Sequence, residues 1–300
     1  MINLISKKVL LFAALCLLLS ACGHKQVKSE PTPSATESNA AAPSGGTSAT
    51  SFDSETGQTQ QPEHGTDPAG PDDQNNNDNQ NGQEQPANLY HIDKNNNVVP
   101  NEDGTEKKVV LLTFDDGPKE QEMIDDLIDT LDKHHAKAIF FVNGYRVKEK
   151  PELLQLIHDR GQIIGNHSWD HIDLNIETED SARKQVEDVQ NIVEDTIGEK
   201  PRFFRPPFGS VNDTLQQIVS ENGMIYTTWS NDSLDWDPKN NKPEAVIQNI
   251  MDQMHPGSNI LMHELPWTVE GLDELLTKLE AEGYGFVDPR TISEYPETAR

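Results

Sequence analysis

Cysteine is almost missing from this 300-residue chain: there are two, Cys16 and Cys22, both within the first 22 positions. The remainder has no thiol for a disulfide framework, a cysteine zinc site or a cysteine nucleophile. A metal held there must sit on His, Asp or Glu. Basic residues are scarce too, 24 against 51 acidic ones, for a net charge of −27. That balance excludes nucleic acid as an expected partner, because phosphate binding needs a basic footprint. Hydrophobic residues make up 34% and aromatics 6%, low for a compact domain, and the shortfall is concentrated before residue 89.

What the first segment does have is an address. Lys7 and Lys8 precede an apolar run over residues 9–19, followed by Leu19-Ser20-Ala21-Cys22. The run is shorter than the roughly 20 residues of a spanning helix, and the order of basic, apolar and small residues is that of a secretory signal. Leu-Ser-Ala-Cys resembles a bacterial lipobox. The resemblance implies removal of residues 1–21, a lipid on Cys22, and an extracytoplasmic protein held at the cell membrane. Residues 23–88 are Ser, Thr, Ala, Pro, Gly, Asn and Gln, with ten acidic and two basic side chains. Such a stretch cannot bury enough apolar surface to offset its ordering entropy, so residues 22–88 read as a lipid-anchor cysteine and a disordered acidic linker. As a coil it would reach about 45 Å.

From residue 89 the pattern changes. Leu89-Tyr90-His91-Ile92 and Val98-Val99, split by Asp93-Lys94-Asn95-Asn96-Asn97, predict a small leading hairpin within residues 89–104. The run Val109-Val110-Leu111-Leu112-Thr113-Phe114 predicts a strand buried on both faces. Met123, Ile124, Leu127, Ile128 and Leu131 then recur at helical spacing. Further strands are expected at 138–142, 163–164, 202–204, 224–228, 259–262 and 285–287. Helices are expected at 151–160, from Thr178 onward, and at 212–222, 243–254 and 268–282. This alternation argues for a parallel α/β fold, barrel or open sheet. Polar residues follow the apolar strands at Asp115-Asp116, His167 and His263, and α/β barrels carry their sites at those C-terminal strand ends. An irregular, distorted (β/α) barrel is therefore favoured for residues 105–300.

Five segments carry candidate chemistry. Thr113-Phe114-Asp115-Asp116-Gly117-Pro118 ends a strand with two carboxylates, able to divide metal binding from proton transfer. In Asn166-His167-Ser168-Trp169-Asp170-His171 two imidazoles four residues apart can share a metal, and Asp116 as third ligand would leave a coordination position for water. Arg205-Pro206-Pro207-Phe208-Gly209 holds a cation on a rigid segment, where it can orient a carboxylate bidentately. Trp229-Ser230-Asn231-Asp232-Ser233-Leu234-Asp235-Trp236 is a polar loop bracketed by indoles, either a pocket wall with a carboxylate partner for a histidine or a piece of core. Asn259-Ile260-Leu261-Met262-His263-Glu264 ends a strand with a histidine suited to general acid work. Each is commonplace alone; the order of all five is not.

In that order they resemble the motifs of carbohydrate esterase family four, the polysaccharide deacetylases or NodB homology domains, over roughly residues 105–290. The resemblance implies a distorted (β/α) barrel that removes acetyl groups from N-acetylglucosamine in a polymer. It further implies that Asp116, His167 and His171 bind a divalent metal, zinc above all, with cobalt, nickel or manganese as alternatives. Asp115 would be the general base held by Arg205, and His263 the general acid supported by Asp235. Trp236 and Leu261 would line the slot for the acetyl methyl, and the backbone N–H of Phe208 would help hold the oxyanion. Two departures stand out: Phe208 replaces the usual Tyr, and Glu264 replaces the Asp that usually follows the last histidine. A lipid-anchored member points to peptidoglycan glycan strands as substrate. Chitin oligomers, acetylxylan and a non-catalytic wall-binding role are the alternatives.

Overall fold

The structure, a computed structural model, describes residues 87–294. The expected signal segment, Cys22 and nearly all of the linker lie outside the described residues. The first half runs β1 (Tyr90–Ile92), β2 (Val98–Pro100), β3 (Val109–Gly117), α1 (Gln121–Lys133), β4 (Ala138–Val142), α2 (Gly144–Glu149), α3 (Pro151–Asp159), β5 (Ile163–Asn166) and α4 (Glu179–Ile197). The second half runs β6 (Phe203–Phe204), α5 (Asp213–Glu221), β7 (Ile225–Tyr226), β8 (Asn231–Asp232), α6 (Pro243–Asp252), β9 (Ser258–His263), α7 (Pro266–Ala281), β10 (Gly285–Phe286) and β11 (Ile292–Ser293).

Eight strands form one parallel sheet in the order β7-β6-β5-β4-β3-β9-β8, with β10 pairing the start of β3. Among the described residues β7 and β8 share no ladder, so the sheet curls as a half-barrel and the distorted barrel is incomplete. The central strand shows how its faces are divided, since successive side chains alternate across a sheet. Val110, Leu112 and Phe114 join Leu127 and Leu131 of α1 and Leu275 and Leu276 of α7 in one core. Val109 and Leu111 join Ile139, Phe141 and Phe203 on the other face, with Tyr90, Ile92 and Val98 of the leading hairpin. Each of these buried side chains contributes about 1.5–3 kcal/mol.

The hairpin is therefore a structural plug under the sheet. The expected β1–β2 pairing is present and antiparallel, but β1 also pairs in parallel with β11, a partner some 200 residues away that local patterning cannot show. Above this plug the same face of β3 turns polar, at Thr113 and Asp115. Helix ends follow their sequence signals. Thr178 caps α4 by accepting the Ser181 N–H, and Gly198 closes it in the left-handed conformation. Asn212 caps α5 in the same way as Thr178. The stretch expected as a single helix over 151–160 is preceded by a further one, α2, which starts directly where β4 ends.

Candidate active site

Simple alternation would turn Asp116 away from Asp115, toward the helices. Instead Asp116 adopts a left-handed backbone (φ 67°) and the β3–β4 register slips between Asp115 and Gly117. This local bulge re-aims one side chain, a recurring use of bulges beside functional sites. Both carboxylates now meet the imidazoles. Nε2 of His167 lies 3.5 Å from Oδ1 of Asp116 and 3.7 Å from Oδ2 of Asp115, and Nε2 of His171 lies 3.2 Å from the same Asp116 oxygen.

His167 leaves the end of β5 and its Nδ1 pairs with the Arg205 carbonyl at 2.6 Å. That bond places the proton on Nδ1 and presents the Nε2 lone pair to Asp116. Burial holds the His167 imidazole below its ordinary pKa, against the opposing charges of Asp115 and Asp116, which favours the neutral form a metal needs. The loop to His171 is set by left-handed Ser168 and His171, and the Ser168 hydroxyl accepts the His171 N–H at 3.2 Å. Burial raises the Asp116 carboxyl, but the charges of His167, His263, His171 and Lys119 outweigh it and keep the group below its usual range.

The donor set fits a divalent cation. One ligand atom each from Asp116, His167 and His171 lies within 4.8 Å of the others. Asp116 Oδ1 is buried and accepts no hydrogen bond among the described residues, an unsatisfied position that calls for an explanation and that a cation would supply.

Arg205, at the end of β6, is fully buried. Its Nη1 donates to Asp115 Oδ1 at 2.8 Å and to Thr113 Oγ1 at 2.6 Å. Its Nη2 donates to the Thr228 carbonyl at 2.7 Å and to Asn259 Oδ1 at 3.1 Å. The guanidinium lies over the Phe141 ring, 4.4 Å from its centroid. The expected bidentate grip on a carboxylate is thus corrected to a single bond, because the second arm is occupied by groups of β9 and the loop after β7. Asp115 is fixed at one oxygen and keeps the other toward His167.

Asp115 pairs in register with His263 across the β3–β9 ladder. The Nδ1 of His263 meets Asp235 Oδ1 at 2.7 Å, and its backbone N–H donates to Asp235 Oδ2 at 2.8 Å. Thr268 Oγ1 also donates to Oδ2, at 2.7 Å, and Trp267 Nε1 donates to the Asp235 carbonyl at 2.9 Å. Burial pushes the His263 imidazole down, but the Asp235 bond and charge outweigh it, and the group is held above its ordinary pKa. Leu261 is buried on β9, whereas Phe208 and Trp236 are 68% and 56% exposed. The Phe208 ring packs edge-on against His171 at 4.9 Å. Trp236 thus lies at the protein surface and not in the core, its Nε1 donating to Asp232 Oδ1 at 3.4 Å.

Comparison with known proteins shows the family. Residues 102–227 match the family model described as polysaccharide deacetylase. A peptidoglycan-N-acetylglucosamine deacetylase of Bacillus cereus is 34% identical over 202 residues, covering 64% of this chain and 73% of the relative. The chain belongs to the polysaccharide deacetylase family. The peptidoglycan-N-acetylmuramic acid deacetylase PdaC of Bacillus subtilis is 35% identical over 213 residues, 71% of this chain but 43% of PdaC. The chain also spans less than two thirds of two further curated relatives. Among solved structures, a family-four pseudoenzyme from Bacillus anthracis matches with a TM-score of 0.59 and 32% identity, over 64% of this chain and 68% of its own.

Polysaccharide deacetylases of this family are metal-dependent, and the Asp116, His167 and His171 cluster is the candidate centre here. The structure brings the sequence-predicted residues together as two groups across one ladder: Asp115, Asp116, His167, His171 and Arg205 on one side, Asp235 and His263 on the other. It adds Thr113, Asn259, Thr268 and Trp267, which sequence reasoning missed. Their one legible signal is polarity inside otherwise apolar strands, at Thr113 and Asn259. Glu264 is buried, and burial pushes its carboxyl up to about 7.

Proposed function

We propose that this protein is a metal-dependent polysaccharide N-deacetylase acting on a cell-wall glycan, peptidoglycan before others. One observation carries the reading: the orphaned Asp116 oxygen between two imidazoles, next to Arg205-held Asp115 and across the ladder from an Asp235–His263 pair. In this proposal Asp116, His167 and His171 hold the cation, zinc in preference to cobalt, nickel or manganese. When bound, such a cation polarises an acyl oxygen and acidifies a water molecule.

The chain's own residues do the rest. Asp115, oriented by Arg205, takes the proton of the attacking water. The Phe208 N–H assists charge stabilisation at the acyl oxygen. His263, whose protonated form Asp235 favours, delivers a proton to the amide nitrogen, because an amine cannot leave as an anion. Acetate and a free amino sugar result. Trp236 and Leu261 border the acetyl slot. Likeness to a pseudoenzyme means that the fold alone does not carry activity; the complete set of Asp115, Asp116, His167, His171 and His263 supports turnover over a non-catalytic wall-binding role.

The chain arrangement supports the same setting. We assign residues 105–300 to the deacetylase domain, 89–104 to its hairpin, 22–88 to a tether and 1–21 to a signal, with Cys22 lipidated at the outer face of the membrane. Cys22→Ser should move the protein from the membrane to the soluble fraction; continued membrane association would remove the lipid assignment. Curated relatives are named for both glucosamine and muramic acid units, so the sugar is decided by experiment. Acetate release should be measured in parallel on peptidoglycan, chitin oligomers and acetylxylan, with and without chelator. We expect release from peptidoglycan that chelator abolishes and added zinc restores. No release from any substrate with zinc supplied would leave the wall-binding reading.

A further inference from the structure

The β3–β9 ladder ends on the Asp115–His263 pair, and one residue later β3 bulges at Asp116. Regular pairing therefore stops where the two halves of the site most need a fixed separation. The next residue on the β9 side is Glu264, only 1% exposed. Its Oε2 accepts the Lys119 backbone N–H at 2.8 Å, 145 positions away in sequence. Its Oε1 is buried with no hydrogen-bond partner among the described residues. Gly117 makes room for this carboxyl: a Cβ on Gly117 would stand 1.9 Å from Oε1. On the opposite flank the Asn143 N–H donates to the Gly117 carbonyl at 2.9 Å, and Lys150 Nζ donates to the Lys119 carbonyl at 2.6 Å.

We propose that Glu264 is a positioning residue that holds the Asp116–Lys119 segment against the His263 strand, and that Gly117 is the seat its carboxyl requires. The segment is clamped between the end of β4 with α2 on one side and Glu264 on the other. Remove the second clamp and the segment keeps its bonds to the β4 side through Gly117 and Lys119, while the bond that ties it to the His263 strand past the Asp115–His263 pair is lost. A space-filling role does not account for the carboxyl, since an apolar side chain of similar volume would fill the site without burying an unpaired oxygen. The Lys119 bond does. The inference rests on the catalytic reading above, but its geometry concerns the metal cluster directly.

The test compares Glu264→Gln, which keeps an acceptor oxygen, with Glu264→Leu, which keeps only the volume. Measurements are zinc affinity by calorimetry, kcat and KM on acetylated glycan, and Tm. We expect Gln to retain kcat and zinc affinity within about threefold. Leu should lower kcat at least about tenfold with KM within twofold, and weaken zinc binding several-fold, at an unchanged Tm. Wild-type zinc affinity and kcat in the Leu variant would overturn the proposal, as would equal losses in both variants. If Leu does not fold, Glu264→Met takes its place under the same criteria. Gly117→Ala should be as damaging as Leu and be partly rescued by the shorter Glu264→Asp; a harmless Gly117→Ala would remove the seat. Should the wild type release no acetate at all, the zinc affinities still decide: equal values for wild type and Leu overturn the positioning role by themselves.

Discussion

The two sides of the β3–β9 ladder are built on opposite terms. On the proposed metal side, Asp116 presents a buried oxygen that accepts no hydrogen bond among the described residues, facing two imidazoles at 3.2 and 3.5 Å. On the acid side, both oxygens of Asp235 are taken, by the His263 ring and N–H and by Thr268. A buried polar atom left open costs stability unless a ligand fills it, whereas a closed network costs little and holds its members in place. The contrast teaches what each side is for. In the proposed reading one side is open to a cation from outside, and the other is closed, orienting one imidazole and favouring its protonated form.

The largest effects should come from breaking the open side. Asp116→Ala, His167→Ala and His171→Ala are each expected to lose bound zinc and to reduce turnover by about 1,000-fold or more, since several kcal/mol of cation stabilisation disappear. Metal analysis of the purified variants, alongside acetate release, checks this; full occupancy in all three would dissolve the ligand set. Asp115→Asn sits between the sides. It should keep the metal and lose turnover by about 10²–10⁴-fold, so a metal-loaded variant with an unimpaired rate would mean that another group takes the proton.

Breaking the closed side should cost less and show itself in the pH profile. Asp235→Asn removes the charge that holds His263 above its ordinary pKa. The imidazole then loses its proton at lower pH, and the alkaline limb of kcat should move toward lower pH. The sign for stability follows the same bond. With the folded pKa raised, its contribution is complete below the ordinary imidazole value and fades as pH rises through the raised one. The variant should therefore lose more Tm at pH 5 than at pH 9. An unmoved alkaline limb would separate Asp235 from the proton donor.

How far these two sides were legible in the sequence differs for a physical reason. Strand β3, helix α4 from its Thr178 cap and strand β4 follow from apolar runs and capping residues, which are local. The metal set was legible as spacing, His167 and His171 on one short loop. That Asp116 turns inward was not, because it depends on a left-handed residue and a slip against β4 that alternation does not encode. Arg205 was expected to grip a carboxylate with both arms, yet Thr228 and Asn259 take one, and those partners lie 23 and 54 positions away. The β1–β11 pairing is equally remote. Long-range polar partners have no periodicity, so only the folded chain displays them.

Thr268 is the sharpest case and sets the finest test of the comparison. It lies in the first turn of α7, where a sequence reading sees only a helix start, and its hydroxyl donates to Asp235 Oδ2 at 2.7 Å. Thr268→Val keeps the shape and removes that donor. Asp235 retains its two bonds to His263, so the network is weakened and not abolished, and kcat should fall by about three- to tenfold, near the 1 kcal/mol scale of one hydrogen bond. Thr268→Ser should restore most of it. Because the closed side is supported independently of the open one, zinc affinity in the Val variant should match wild type. A loss of zinc binding equal to the loss of kcat would mean that the ladder couples the two sides more tightly than their separate hydrogen bonds require.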